Sequence, residues 1–147
     1  MQNTELNKKL EELKLRCKKA NLRVTKQRLE IYKAIFESKA HPDAETLYNA
    51  IKNKVPNVAL DTVYRTLTSL ENLNMVFRVD SLLPKARFDA DYTPHSHFLC
   101  TKCNEIYDIF LITAQDVKNE VQKKGLGEVV DVNIQVRGIC PKCSGKN

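Results

Sequence analysis

The sequence predicts an α+β chain: an N-terminal winged helix-turn-helix domain, then a small α/β dimerisation domain with structural zinc. Three observations carry this. Short amphipathic segments crowd into the first seventy residues. Net positive charge is confined to the N-terminal part, where residues 1–88 hold 17 Lys and Arg against 10 Asp and Glu, while residues 89–147 hold 7 against 8. Two CxxC pairs bracket the second half. A length of 147 residues suits one average domain or two small ones, and two small cores need a staple. The boundaries drawn from these shifts are a basic unit over 1–88, a hinge over 89–96 and a near-neutral unit over 97–147.

Residues 4–20 read as a helix, with Leu6, Leu10, Leu13, Cys17 and Ala20 at three-to-four-residue spacing. Cys17 falls on the apolar stripe, as a small buried hydrophobe would. Residues 21–25 break that helix, and Thr25 is placed to cap the next, whose apolar face is Leu29, Tyr32, Ile35 and Phe36. His41-Pro42-Asp43 punctuates the chain. A third helix turns Ala44, Leu47, Tyr48 and Ile51 inward and ends at Val55-Pro56-Asn57. Asp61 is expected to cap a fourth helix from Thr62 to about Asn72, burying Val63, Leu67 and Leu70 and presenting Tyr64, Arg65, Thr68 and Asn72 outward. Residues 75–79 and 86–88 read as two short strands around a Leu-Pro-Lys turn, which makes the wing.

In the second half, Phe98-Leu99 and residues 105–110 are strand-like. Thr113 opens a helix through Lys124, with Asp116 as capping-box partner, Val117 and Val121 inward, and Gly125 and Gly127 as the stop. Val130, Val132, Ile134 and Val136 then alternate with polar residues, the clearest strand pattern in the chain. A sheet this small is marginal alone, so pairing with a second copy is expected.

Function classes narrow in the same way. No apolar run reaches membrane-span length and the N-terminus lacks a signal-peptide core, so a soluble cytoplasmic protein without a membrane partner is expected. A basic half favours a polyanionic partner through counterion release, against the plainer reading of a solvated surface. Cys100, Cys103, Cys140 and Cys143 form two turns that each aim two thiolates at one point. Together they make a closed tetrahedral site for structural Zn2+, in preference to a thioredoxin-like redox pair. The remaining constellation is His41, Asp89, His95, His97 and Asp108, which uses every histidine of the chain. Its hard nitrogen and oxygen donors suit Fe2+ or Mn2+ as well as zinc. A metalloenzyme using that site to activate water is opposed by the lack of a separate general base or a Gly-rich substrate loop, so no enzyme and no small-molecule substrate are expected. A zinc-stabilised protein-interaction module also fits these residues.

Arg23-Val-Thr-Lys-Gln-Arg28, His41-Pro42, Thr62-Val-Tyr-Arg-Thr-Leu67, Arg87-Phe-Asp89, His95-Ser-His97-Phe-Leu-Cys100-Thr-Lys-Cys103 and Cys140-Pro-Lys-Cys143 appear in order. With these motifs the chain resembles the ferric uptake regulator (Fur) family over nearly its whole length. The resemblance implies a homodimeric, metal-dependent repressor of double-stranded operator DNA, with a four-cysteine zinc site and a regulatory metal on the five His and Asp positions. Asn104 departs from the glycine common after the second knuckle cysteine, and a local change in that turn is expected. Asp108, where iron-uptake repressors usually carry Glu, looks like the peroxide-responsive (PerR) subgroup. That subgroup senses hydrogen peroxide through Fe2+-dependent oxidation of a ligand imidazole, expected here at His41 or His95. The alternative is an iron or zinc homeostasis repressor of the same family. For DNA, the reading assigns a base-edge contact to Arg65, apolar or backbone contact to Tyr64, and phosphate contacts to Arg23, Lys26, Arg28, Lys18 and Lys19.

Overall fold

A computed structural model of the chain describes residues 2–110 and 112–145. It divides into two compact units, Met1–Asp80 with Pro84–Asp91, and Ser81–Leu83 with Tyr92–Asn147. No helix among the described residues is long and apolar enough to cross a membrane.

The first unit is built from helices α1 (Gln2–Lys19), α2 (Lys26–Glu37), α3 (Ala44–Ile51) and α4 (Leu60–Asn72), and the hairpin β1 (Phe77–Val79) with β2 (Arg87–Asp89). The i, i+3/i+4 apolar spacing explains its core. Leu13 and Cys17 of α1 are fully buried, and so are Ile31 of α2 and Val63 and Leu70 of α4. Leu47 and Ile51 of α3 are almost as deep, at 1% exposure. Cys17 is thus a core residue. Ala20, placed on the same stripe by sequence, is exposed just past the end of α1. Thr25 caps α2 by accepting from the Arg28 N–H, and Asp43 caps α3 by accepting from the Thr46 N–H at 2.8 Å. Arg16 fastens α1 to the end of α4, donating to the carbonyls of Leu73 (2.7 Å) and Asn74 (3.1 Å).

Two expectations need correction here. The N-cap position of α4 is Ala59, which makes no side-chain cap. Asp61 lies inside the first turn instead, where its charge faces the positive end of the helix dipole, and it pairs with Arg65 at 2.9 Å. The first strand of the wing is also shorter than expected, because Met75 and Val76 are consumed by the core (3% and 1% exposed) before the hairpin begins. The hairpin is antiparallel with Phe77 opposite Asp89 and Val79 opposite Arg87.

The second unit holds β3 (Ser96–Cys100), β4 (Ile106–Ile109), α5 (Ala114–Lys123), β5 (Gln135–Gly138) and the short helix α6 (Pro141–Ser144). The sheet order is β4-β3-β5, with β4 antiparallel and β5 parallel to the central strand. Thr113 and Asp116 form the predicted capping box. Val117 and Val121, expected to point inward, are only half-buried, and α5 buries no residue within the chain.

The clearest sequence strand is the one most changed. Only residues 135–138 pair, and 127–134 form no regular element. Register accounts for the loss: Gln135 lies opposite His97, the second residue of β3, so residues before Ile134 run off the start of that strand and meet no partner strand among the described residues.

Candidate metal centres

Cys100 ends β3 and Cys103 follows in the turn to β4, while Cys140 and Cys143 flank the first turn of α6. The first knuckle is closed by hydrogen bonds from Cys100 N–H to Glu105 O and from Asn104 N–H to Cys100 O, both 2.9 Å. Asn104 takes a left-handed backbone (φ 62°), which asparagine tolerates better than most residues, so the turn survives without glycine. The second knuckle starts with Pro141 at the first helical position and repeats the N–H contacts to its leading carbonyl, from Cys143 (3.1 Å) and Ser144 (2.9 Å).

All four Sγ atoms lie within 4.8 Å of one another, and Cys103 and Cys140 are 3.8 Å apart. Four sulfurs at about 2.3 Å from a central zinc have edges of about 3.8 Å, so the set fits a tetrahedral ion. Backbone N–H groups of Cys103 and then Cys140 draw the Cys100 thiol down to about 6, while Cys103 and Cys140 push Cys143 up to about 12. Thiols this close resist ionising together, and a divalent cation among them reverses that preference.

The His and Asp positions form one group in each unit. In the second unit, His97 of β3 stands directly opposite Asp108 of β4, and His95 lies on the same side two residues earlier. The His95 and His97 Nε2 atoms are 3.0 Å apart and each is 3.6 Å from Asp108 Oδ1. The His95 Nδ1–H donates to the Thr93 carbonyl at 2.6 Å, which leaves Nε2 as the lone-pair nitrogen. Two imidazole nitrogens and a carboxylate oxygen at these separations match neighbouring ligands of an ion bound at about 2.1 Å. In the first unit, the buried His41 holds Nε2 3.3 Å from Asp89 Oδ2 at the end of β2.

The nucleic-acid candidates are all on the first unit. Tyr64 is half exposed and the Arg65 side chain is 81% exposed on the outer face of α4. Lys18, Lys19, Arg23 and Lys26 are exposed. Arg28 is partly buried, and its guanidinium donates to the Arg23 carbonyl, so it braces the turn before α2. Lys14, which the sequence reading passed over, lines an open groove with Lys18 and Arg23. Its position one turn before Lys18 on α1 was the available signal.

The profile of the "Ferric uptake regulator family" matches residues 19–137. The peroxide-responsive repressor PerR of Staphylococcus epidermidis is 28% identical over 138 residues, 94% of this chain and 92% of its own. Among solved structures, the Helicobacter pylori ferric uptake regulator Fur, described with three functional metal binding sites, superposes with a TM-score of 0.82. It is 27% identical and covers 95% of this chain and 93% of that one. Streptococcus pyogenes PerR gives a TM-score of 0.53 at 25% identity, covering 91% and 92%.

Proposed function

The chain belongs to the ferric uptake regulator family, and we propose that it is a metal-dependent, DNA-binding transcriptional repressor that responds to hydrogen peroxide. Its family consists of transcription regulators, not enzymes. The observation that carries the metal-dependent reading is the pair of donor groups. His95, His97 and Asp108 converge in one unit and His41 meets Asp89 in the other, three donors and two, each set leaving coordination positions of an ion open. In this reading one Fe2+ or Mn2+ takes both groups as ligands, and Zn2+ sits in Cys100, Cys103, Cys140 and Cys143. Sharing one ion selects the arrangement of units in which two copies present their α4 helices to successive major grooves.

The residues divide the work. Residues 1–88 bind DNA: Arg65 exchanges its exposed pairing with Asp61 for a base edge, at little cost because both groups are solvated. Tyr64 packs beside it, and Lys18, Lys19, Arg23 and Lys26 neutralise phosphates while Arg28 holds Arg23 in place. Residues 89–96 supply Asp89 and His95 to the ion. Residues 97–147 dimerise, which fits the exposed Phe110, Ile112, Leu126 and Val130, and α5 with nothing buried. Iron(II), when bound, supplies the reducing chemistry that cleaves the peroxide O–O bond. The imidazole of His41 or His95 would then take one oxygen atom of the peroxide while the other leaves as water, and the oxidised ring, weaker as a ligand, would let the units part. Asp108 at the fifth position favours this subgroup, as do the PerR relatives. The higher structural likeness to H. pylori Fur favours the second reading, an iron or zinc homeostasis repressor.

The deciding experiment treats the Fe(II)- and Mn(II)-loaded protein with hydrogen peroxide, then measures DNA retention and peptide mass. Release from the Fe(II) form only, with one added oxygen on the peptide holding His41 or His95, is expected. Equal release from both forms contradicts peroxide sensing and leaves the homeostasis reading.

A further inference from the structure

The first-unit donor pair is held together by a residue that is not a ligand. His41 has a left-handed backbone (φ 51°), an unfavourable conformation for a residue with a Cβ, and Pro42 follows it. Strand β2 grips this turn at three successive carbonyls. The Arg87 guanidinium donates from Nε to the His41 carbonyl and from its second terminal nitrogen to that of Ala40, and the Phe88 N–H donates to Pro42 O at 3.1 Å. Arg87 and Asp89 are two residues apart on β2 and so share a face, while Phe88 between them points into the core at 3% exposure. One face of a three-residue strand therefore carries both the fork that shapes the His41 turn and the carboxylate that meets its imidazole at 3.3 Å.

We propose that Arg87 is a positioning residue for the regulatory metal: its fork imposes the left-handed turn that aims the His41 imidazole at Asp89. The inference rests on the regulatory-metal reading above. A guanidinium is suited to the task because its donors are fixed in one plane and reach two adjacent carbonyls, which a lysine ammonium cannot do with the same geometry. The clamp explains how a buried histidine keeps a conformation that glycine would adopt more readily. It also predicts that the affinity of the ion depends on a side chain that never touches it, as with other partners that orient a ligand.

The test uses the full-length, zinc-containing protein and four variants: Arg87→Met, Arg87→Lys, His41→Ala and the double variant Arg87→Met/His41→Ala. Mn(II) binding is read by the electron paramagnetic resonance of free Mn(II), with zinc content, thermal midpoint and amide exchange at Phe88 in the metal-free protein recorded alongside. Arg87→Met should weaken Mn(II) about 10- to 100-fold and speed exchange at Phe88, with the zinc retained. Arg87→Lys, which keeps the charge, should recover only a minor part of that loss. In the His41→Ala background, Arg87→Met should change Mn(II) affinity no further, because the residue acts only through that imidazole. Additive losses, or wild-type affinity in Arg87→Met, overturn the proposal. If the wild-type protein takes up zinc but no Mn(II), the regulatory-metal reading itself fails, an outcome distinct from a variant that behaves like wild type.

Discussion

Asp108 faces His97 across adjacent strands, so the length of its side chain sets where its oxygen lies relative to both imidazoles. Asp108→Glu adds one methylene to a three-atom cluster whose separations are 3.0–3.6 Å. The variant should keep Mn(II)-dependent DNA binding and lose most of the peroxide response, measured as DNA released after peroxide treatment of the Fe(II) form. Undiminished sensitivity removes the reason for preferring this subgroup. Cys143 tests the other centre. A structural zinc in a small unit contributes free energy on the order of 10 kcal/mol to folding, more than the second unit's small core can replace. Cys143→Ser should therefore lose the zinc and the ordered sheet together, read by metal analysis and circular dichroism. At this scale the sequence was informative where spacing alone fixes geometry, as in the two CxxC turns and His95-Ser-His97. It was silent on Arg16 and on the bracing roles of Arg87 and Arg28. Each of these acts through backbone carbonyls, and a carbonyl leaves no residue signature.

Among the elements, α3 shows how a cap ties local sequence to the site. Asp43 sits two residues after His41, and its carboxylate accepts from the first turn of the helix. Burial pushes that carboxyl up, but the Thr46 hydrogen bonds and the charges of Lys85 and Arg87 outweigh it and hold the group below its ordinary value. A depressed folded pKa means the contribution is complete above the ordinary carboxylate range and is lost as pH falls through the folded value. Asp43→Ala should cost about 1 kcal/mol at neutral pH and much less in acid, while Asp43→Asn should keep the cap and flatten that pH dependence; chemical denaturation across pH checks both. Helices were legible because their apolar period and caps are local. The misplaced start of α4 arose because Asp61 suits both a cap and a first turn. The strand over 130–136 failed for a different reason: alternation records a face that will be covered, not which chain covers it.

For the whole molecule, the same point has a consequence. Leu126 is 71% exposed and Val130 is 99% exposed, beside a helix that buries nothing in its own chain. If a second copy covers these residues, Leu126→Glu with Val130→Glu should shift the protein from dimer to monomer in sedimentation. It should weaken DNA binding strongly while leaving zinc content unchanged, because two half-sites are then no longer held by one particle. The five His and Asp positions could be listed from sequence, but their grouping needed the hairpin that sets Asp89 beside His41 and the strand register that sets Asp108 opposite His97.

The most direct test of a metal-dependent repressor is equilibrium binding of the zinc-containing protein to a duplex selected for affinity, followed by fluorescence anisotropy at fixed salt. The account predicts tight binding with Mn(II), loss of most of that affinity when the regulatory ion is chelated with zinc retained, and the same loss in His41→Ala with Mn(II) present. Equal affinity under all three conditions contradicts it.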